Sequence, residues 1–523
     1  MPSLIPPRLP RPLLAALTAF VVLLTVAAVA DIRTDPPPPG STGAQQAPGF
    51  LGRERPNIVL VSSDDQRLDE MQFLPEVERL IGDEGVTFDN ALTPHPLCCP
   101  ARAELMTGQL AQNNGVRGNF PPQGGYDAFD ESQHVGVWLQ EAGYRTAFLG
   151  KMLNGYSHQD GRDPGWDIFN ATSHGYADYY DFKQFDGDEV VGVEGYYTDY
   201  VGDKAVEYVD ELSQGDEPFF MWVSHFAPHP SRRRSTCEQD TCGLEPPRSS
   251  PTYLAEQERT GKTPHQDAAD ELARSVTRSP AFNEDDLSDK QALVRRQPKM
   301  SEQTVVRSAR GRASALASLD DTIGPLVEEL RAQGELDNTY LVFITDNGFQ
   351  LGEHRWFGKI LPYEESVRTP MLVRGPGIEP GTRTDATATI VDLVPTFLDI
   401  AGATPSLLTD GTSLLDLWQG LQSEELYPGG VLLQGGPYKP ETGKTGWLYR
   451  GLRTDRYTYA RFHDGFVELY DRDRDPGQVQ SVAGRERYAA VEAELARRTE
   501  ILSGCRGAEE CHQDFGPLPE PGR

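Results

Sequence analysis

Asn57-Ile58-Val59-Leu60-Val61-Ser62 is an apolar run that leads into the carboxylate doublet Asp64-Asp65. A short stretch of branched side chains closed by a polar doublet reads as a strand buried on both faces, the kind that parallel sheets contain. The plan returns at Thr339-Tyr340-Leu341-Val342-Phe343-Ile344-Thr345, followed by Asp346-Asn347-Gly348. Between the two, helical and strand signals alternate. Residues 73–82 predict an amphipathic helix on Leu74, Val77, Leu80 and Ile81, 135–142 a helix, 146–150 a strand, 218–223 a buried strand and 310–333 a helix. That rhythm predicts an α/β fold on a mostly parallel sheet, with polar chemistry just beyond the carboxyl ends of its strands.

The rhythm changes after residue 403. Residues 447–460 and 466–470 read as short antiparallel strands and 488–498 as a helix, which predicts a small C-terminal α+β domain over 420–523 packed against a catalytic domain over 53–419. The polar stretch 237–305 has few apolar runs and reads as a surface insertion bordering the substrate cleft. At the other end, Arg8 and Arg11 precede an apolar run from Leu13 to Ala30, closed by Ala28-Val29-Ala30. This is the order of a signal peptide over 1–30, followed by a flexible linker rich in Pro, Gly, Ser and Thr over 31–52. The run also reaches the lower edge of membrane-spanning length, so an uncleaved N-terminal anchor is the alternative. Either reading makes the protein secreted or extracellular, with membrane association only if the segment stays uncleaved.

The formal charge of −30 argues against a nucleic-acid partner, which calls for a concentrated basic surface. Arg232-Arg233-Arg234 is a candidate basic mouth for an anionic substrate, and equally an ordinary solvated run. Of six cysteines, Cys237 with Cys242 and Cys505 with Cys511 are spaced for local disulfides in an exported chain. Neither pair has the partners of a zinc site. Cys98 and Cys99 are left over, and a disulfide between these neighbours is the bland alternative to a reactive role. Asp64, Asp65, Asp346 and Asn347 together offer the oxygen ligands of a hard cation, Ca²⁺, or Mg²⁺ in a smaller octahedral cavity. Either doublet alone is as easily a turn or a helix cap.

The leftover cysteines sit in Cys98-Cys99-Pro100-Ala101-Arg102, followed by Ala103-Glu104-Leu105-Met106-Thr107-Gly108-Gln109. Cys-x-Pro-x-Arg resembles the signature that marks a sulfatase cysteine for oxidation to formylglycine. The double cysteine with the later Thr-Gly resembles the N-acetylglucosamine-6-sulfatase branch; Ala101 stands where Ser is commoner. The resemblance runs from Pro56 to Ala403 and continues through Leu452-Arg453-Thr454-Asp455 and Glu468-Leu469-Tyr470-Asp471. It implies the alkaline-phosphatase-like fold, a large mostly parallel-sheet sandwich with a smaller C-terminal antiparallel-sheet domain.

The resemblance also implies roles. Asp64, Asp65, Asp346 and Asn347 bind Ca²⁺ beside Cys98, which is converted to formylglycine (3-oxoalanine) by a formylglycine-generating enzyme and supplies oxygen to the metal as well. In the family mechanism one hydroxyl of the hydrated aldehyde attacks sulfur and displaces the alcohol, and the other helps eliminate sulfate. Arg102 stabilises the anion, aided by the amides of a helix expected over 101–110. Lys151 contacts sulfate from Gly150-Lys151-Met152-Leu153-Asn154, where many arylsulfatases place His at the position of Leu153. The Lys-x-Leu-Asn pattern makes Asn154 a candidate substrate contact. His229, in Phe226-Ala227-Pro228-His229-Pro230, manages the proton of the leaving oxygen, with His225 as a nearby competitor that braces the loop. Lys359 completes the positive set at the end of Gly352-Glu353-His354-Arg355-Trp356-Phe357-Gly358-Lys359, where His354 reads as structural. Tyr363 to Pro370 and Val373-Arg374-Gly375-Pro376-Gly377 are also familiar from sulfatases.

The expected activity is hydrolysis of a sulfate monoester, on a sulfated carbohydrate such as N-acetylglucosamine 6-sulfate in preference to an aryl sulfate. Two alternatives stand beside it: a formylglycine-dependent phosphonate or phosphate monoester hydrolase, and a non-catalytic secreted protein that binds anions or glycans.

Overall fold

The computed structural model describes residues 55–172, 178–232, 244–422, 425–437 and 446–522. The expected leader over 1–30, the linker over 31–52, Arg233-Arg234 and the pairing of Cys237 with Cys242 lie outside the described residues.

The central sheet contains β1 (Asn57–Ser63), β2 (Val86–Leu92), β3 (Arg145–Gly150), β4 (Ile168–Ala171), β5 (Phe219–Ser224), β6 (Thr339–Thr345), β7 (Arg368–Arg374), β8 (Thr382–Thr384) and β9 (Ala388–Thr389). Its order is β8-β2-β7-β6-β1-β5-β3-β4, with β9 also beside β2. β1 pairs in parallel with β5 and β6, and β3 in parallel with β4 and β5. β7 is antiparallel to both of its neighbours, β6 and β2. One reversed strand in an otherwise parallel sheet is the mixed pattern of large α/β proteins.

Alternation along β1 divides the core between the two faces of the sheet. Ile58 and Leu60 join Met106 of α1 (Cys98–Thr107) and Phe397 of α4 (Leu393–Ala401). Val59 and Val61 join Val201 of α2 (Tyr197–Leu212) and Leu316 of α3 (Glu302–Ala332). Helices cover both faces, so the middle of β1, Ile58 to Val61, must be apolar on both sides, as its sequence is.

A second sheet, β10 (Val431–Gly435), β11 (Tyr449–Arg453), β12 (Tyr457–Phe462) and β13 (Val467–Asp471), is antiparallel throughout. α5 (Ala489–Leu502) packs on β11 and β12. Leu433, Leu452, Leu469 and Leu495 belong to the same apolar cluster as α1 and α4, so this small sheet shares its core with one face of the large one.

Several local expectations shift. The amphipathic helix expected over 73–82 is three short pieces: a 3₁₀ turn at Leu68–Phe73, an α turn at Pro75–Val77 and a π turn at Glu78–Gly82. Pro75 cannot continue a preceding helix, so a new turn begins on it. The helix expected over 101–110 begins at Cys98 and stops at Thr107, where Gly108 takes the left-handed conformation at φ 66°. Pro100 is no obstacle there, because the first turn of a helix leaves its amides unbonded. The 237–305 stretch is more than surface. Its helix Gln266–Arg278 buries Ala269, Leu272, Ala273 and Val276, a sparse helical stripe, and Lys290 beyond it is completely buried. Cys505 and Cys511 form a disulfide, whereas Cys98 and Cys99 are both free thiols. Among the described residues no helix is long and apolar enough to cross a membrane.

Candidate active site

Four parallel strands end on the same side. β1 delivers Asp64 and Asp65, β6 delivers Asp346 and Asn347, β3 delivers Lys151 and β5 delivers Ser224, while α1 opens there with Cys98. The carboxyl edge of an open α/β sheet is where loops leave room for a ligand. Gly150 makes the approach of β3 to β5 feasible: its φ is 109°, and a Cβ there would lie 2.0 Å from the carbonyl oxygen of Ser224. Lys151 follows directly, its amide bonded to that same carbonyl at 2.8 Å.

Asp64, Asp65, Cys98 and His229 are all buried, and each offers one ligand atom lying within 4.8 Å of the other three. The Cys98 Sγ is 3.7 Å from Asp64 and 3.8 Å from Asp65. Lys359 Nζ is 2.8 Å from that sulfur and bonds the Asp65 carboxylate as well. Lys151 Nζ bonds Asp64. His229 Nε2 stands 3.6 Å from Asp65 Oδ2, and its Nδ1 is 2.7 Å from the carbonyl of Pro230, which fixes the ring. Asp346 ties in through Asp65, whose amide donates to it at 3.1 Å, and through Arg102 Nε at 2.9 Å. Asn347 Nδ2 donates to Asp65 at 2.8 Å. Every catalytic and metal candidate read from the sequence thus meets at one point.

Arg102 is held more tightly than a free anion-binding arm. Its Nη1 donates to Ser224 Oγ at 2.7 Å and to the Lys151 carbonyl at 2.9 Å, leaving only Nη2, 3.7 Å from Asp64, without a hydrogen bond. Asn154 is also buried, its backbone carbonyl bonded to the Tyr126 amide at 2.8 Å and its Oδ1 without a hydrogen-bond partner. His225 is buried with neither ring nitrogen hydrogen-bonded. His354 lies outside the cluster, its Nδ1 2.8 Å from Glu284 and its ring stacked on Tyr363, a structural position.

Two supports escaped the sequence reading. Ser224 bridges Arg102 and the Lys151 carbonyl. Arg312, in the middle of α3, donates from Nη2 to the backbone oxygen of Asp65 at 2.5 Å and pairs with Glu70 at 2.5 Å. Asp65 adopts φ 67°, a left-handed conformation unfavourable for a residue with a side chain, and these bonds hold it there. The available signal was a charge on the apolar face of a helix, since Arg312 falls between Ala309 and Leu316.

Three carboxylates and three cations balance one another out of water. Burial pushes the Asp64 and Asp65 carboxyls up, but Lys151 and Lys359 respectively, with His229, hold both below the ordinary range. Burial drags Lys151 and Lys359 down, and their carboxylate partners raise them above the usual lysine value. Burial takes His229 down to about 4, so its imidazole is neutral near pH 7. The Cys98 thiol is raised by burial beyond what the two lysines can offset, so it is protonated and a poor nucleophile as it stands.

The oxygens fit a hard cation. Asp65 Oδ2 and Asn347 Oδ1 are buried without hydrogen-bond partners, in a cluster whose other oxygens are mostly engaged. Unsatisfied buried oxygens beside carboxylates suit Ca²⁺ or Mg²⁺, whereas a thiol sulfur does not.

Residues 56–403 match the Sulfatase family model, and residues 352–503 match the model of the N-sulphoglucosamine sulphohydrolase C-terminal region. A putative extracellular sulfatase Sulf-1 homolog of Caenorhabditis elegans is 32% identical over 377 residues, covering 69% of this chain and 49% of its own length. An N-acetylglucosamine-6-sulfatase of Capra hircus is 32% identical over 392 residues, covering 71% of this chain and 64% of its own. The chain therefore spans about half to two thirds of these curated relatives. A solved structure in complex with its substrate, D-glucosamine-2-N,6-O-disulfate, superposes with a TM-score of 0.67 at 26% identity, covering 86% of this chain and 97% of that one. The chain belongs to the sulfatase family.

Proposed function

We propose that the protein hydrolyses sulfate monoesters, with a sulfated carbohydrate of the N-acetylglucosamine 6-sulfate type as substrate. The observation that carries this reading is the position of Cys98, the first residue of α1, whose sulfur lies within 3.8 Å of the carboxylates of Asp64 and Asp65 and of Lys359 Nζ. The sugar preference rests on the relatives named for N-acetylglucosamine-6-sulfate and on the solved complex with a disulfated glucosamine.

In this reading Asp64, Asp65, Asp346 and Asn347 hold Ca²⁺, and Cys98 is oxidised to formylglycine by a generating enzyme. Those two groups supply charge neutralisation and an oxygen nucleophile, which the protonated thiol cannot provide. The remaining residues position and neutralise. Lys151 and Lys359 bring compact positive charge to the sulfate oxygens, and Arg102 adds its remaining N–H from Nη2. His229, neutral near pH 7 with its Nδ1–H bonded to the Pro230 carbonyl, presents an unprotonated Nε2 that can take a proton from the attacking hydroxyl and pass it to the departing ester oxygen. Asn154 is assigned the sugar side of the cleft. Residues 53–419 carry this machinery and 420–523 form the supporting domain of an exported protein.

The test is protein made in a host that has the modifying enzyme. Peptide mass spectrometry should show Cys98 as formylglycine or its hydrate, and Ca²⁺-loaded protein should release sulfate from N-acetylglucosamine 6-sulfate. Fully modified protein that cleaves no sugar or aryl sulfate would falsify the hydrolase reading. Turnover of a phosphonate monoester in place of sulfate would move it to the neighbouring chemistry.

A further inference from the structure

Trp447 is flanked by two arginines. The guanidinium of Arg450 lies 4.4 Å from its ring and that of Arg117 4.8 Å. Arg450 on β11 also faces Arg461 on β12 as its direct register partner, an arrangement in which like charges repel. Among the described residues neither Arg117 nor Arg461 makes an ion pair, and Glu500, in the wall of the adjoining cavity, acts on Arg450 by its charge without forming an ion pair with it. Arg450 donates from Nη1 to the Ser503 carbonyl at 3.2 Å, and its Nε is buried without a hydrogen-bond partner. Burial and the charge of Arg117 draw Arg450 down to about 10, against the opposing charge of Glu500. A chain with 79 acidic and 49 basic residues has carboxylates to spare, yet among the described residues none forms an ion pair with these three arginines, and Glu500 alone of the acidic residues lines the cavity.

Arg450 and Arg461 line a cavity, and Trp447 and Arg117 connect it to the turn that carries Cys98. A space of about 270 Å³ opens between the small sheet and α5, with Trp447, Arg450 and Arg461 in its wall. That is near the roughly 300 Å³ at which small-ligand pockets begin. Trp447 packs against His95 with ring centroids 6.0 Å apart, three residues before Cys98. Two residues after Arg117, Asn119 accepts the Cys99 amide at 3.0 Å. Both Arg117 and Trp447 are therefore built onto the turn that presents Cys98.

We propose that Arg117, Trp447, Arg450 and Arg461 form an oxyanion subsite beside the nucleophile turn, which takes a second acidic group, sulfate or carboxylate, of an extended acidic glycan. An oxyanion there accepts from the free guanidinium donors and removes the repulsion between Arg450 and Arg461. It also lets a strongly negative chain hold a negative polymer, the difficulty that the overall charge raises. The inference deepens the sulfated-carbohydrate reading and rests on it for the choice of glycan.

The experiment has a kinetic and a binding arm. Modified, Ca²⁺-loaded wild type and the double variant Arg450→Gln/Arg461→Gln are assayed on N-acetylglucosamine 6-sulfate and on two disaccharides. In one, a 6-sulfated glucosamine is linked to a uronate; in the other, to a 2-sulfated uronate. The variant should raise KM for the disaccharides about tenfold and leave kcat and the monosaccharide KM unchanged. A rise for both disaccharides assigns the subsite to carboxylate, and a rise for the doubly sulfated one alone assigns it to sulfate. An equal rise on all three substrates, or none, overturns it. In the second arm calorimetry follows both disaccharides binding to protein with unmodified Cys98, where no turnover is needed. Binding by wild type that is weakened in the Gln pair and largely kept in Arg450→Lys/Arg461→Lys supports the subsite even if no substrate is cleaved, in which case the hydrolase reading alone falls. Equal binding by wild type and the Gln pair overturns the subsite whatever the activity.

Discussion

Two buried clusters of charge lie within one chain and differ in how completely they are satisfied. Around Lys290 the accounting is nearly closed: its Nζ reaches Glu284 at 3.1 Å, Asp289 at 2.9 Å and the Val479 carbonyl at 2.6 Å. Glu468 accepts from the Gln291 amide at 2.8 Å and from the Tyr363 and Tyr470 hydroxyls at 2.9 and 2.8 Å. Around Cys98, by contrast, Asp65 Oδ2, Asn347 Oδ1 and Arg102 Nη2 have no hydrogen-bond partner. Buried polar atoms without partners are costly, so a group of them beside a nucleophile marks where something else binds. The closed set holds the 284–291 segment, the His354 loop and the small sheet together.

Substitutions test this contrast directly. The largest effect is expected from Cys98→Ala, which should lower sulfate release by about 10⁴-fold or more while the thermal transition persists. A collapse of the fold instead would make the open cluster structural after all. His229→Ala should cost about 10²- to 10⁴-fold in kcat, the range for loss of a proton-transferring group, again with the fold kept. In the closed cluster the balance reverses. Lys290→Met strands Glu284 and Asp289 and should remove about 3–5 kcal/mol of stability in urea titrations, while the folded fraction keeps its turnover number. If kcat fell without a stability change, the division between the two clusters would be wrong.

The smallest effect is in pH. Burial takes His95, His225 and His354 each down to about 3. In the unfolded chain these imidazoles bind protons from about pH 6.5 downward, so the unfolded state takes up more protons between about pH 6.5 and 3. Their contribution to stability is complete above that window and is lost as pH falls through it, at about 1.4 kcal/mol per pH unit for each histidine. His354→Gln should make the acid limb of a stability profile shallower by one histidine's share. An unchanged slope would show that His354 titrates alike in both states.

Elements with a dominant local signal were legible in the sequence. The runs behind β1 and β6 are apolar from Ile58 to Val61 and from Tyr340 to Ile344, and both carry their polar doublets to the site. The cysteine motif brought the helix with it, although Pro100 obscured a start at Cys98 because proline is acceptable in a first turn. The 73–82 segment misled for a related reason: its apolar spacing is helical, but Pro75 divides it. Pattern reading also failed wherever tertiary partners decide the matter. Nothing local in Lys290 announces a buried cation, because the groups that neutralise it include the carbonyl of Val479, distant in sequence. Arg312 and Ser224 support the site through bonds to residues far along the chain, beyond what the spacing of a motif can encode. β10 was missed because Val431–Gly435 is short and adjoins glycines on both sides.

Cys98 is 1% exposed, enclosed by strand ends that reach to residue 346 and by the Lys359 loop. Its environment is therefore completed only after more than two hundred further residues have been synthesised. On the proposed reading, an enzyme that oxidises this side chain would have to reach it before those segments arrive, so maturation and folding would compete for the same interval. The yield of active protein would then depend on the pace of synthesis and on the supply of the modifying enzyme, and a molecule that closed early would keep its thiol.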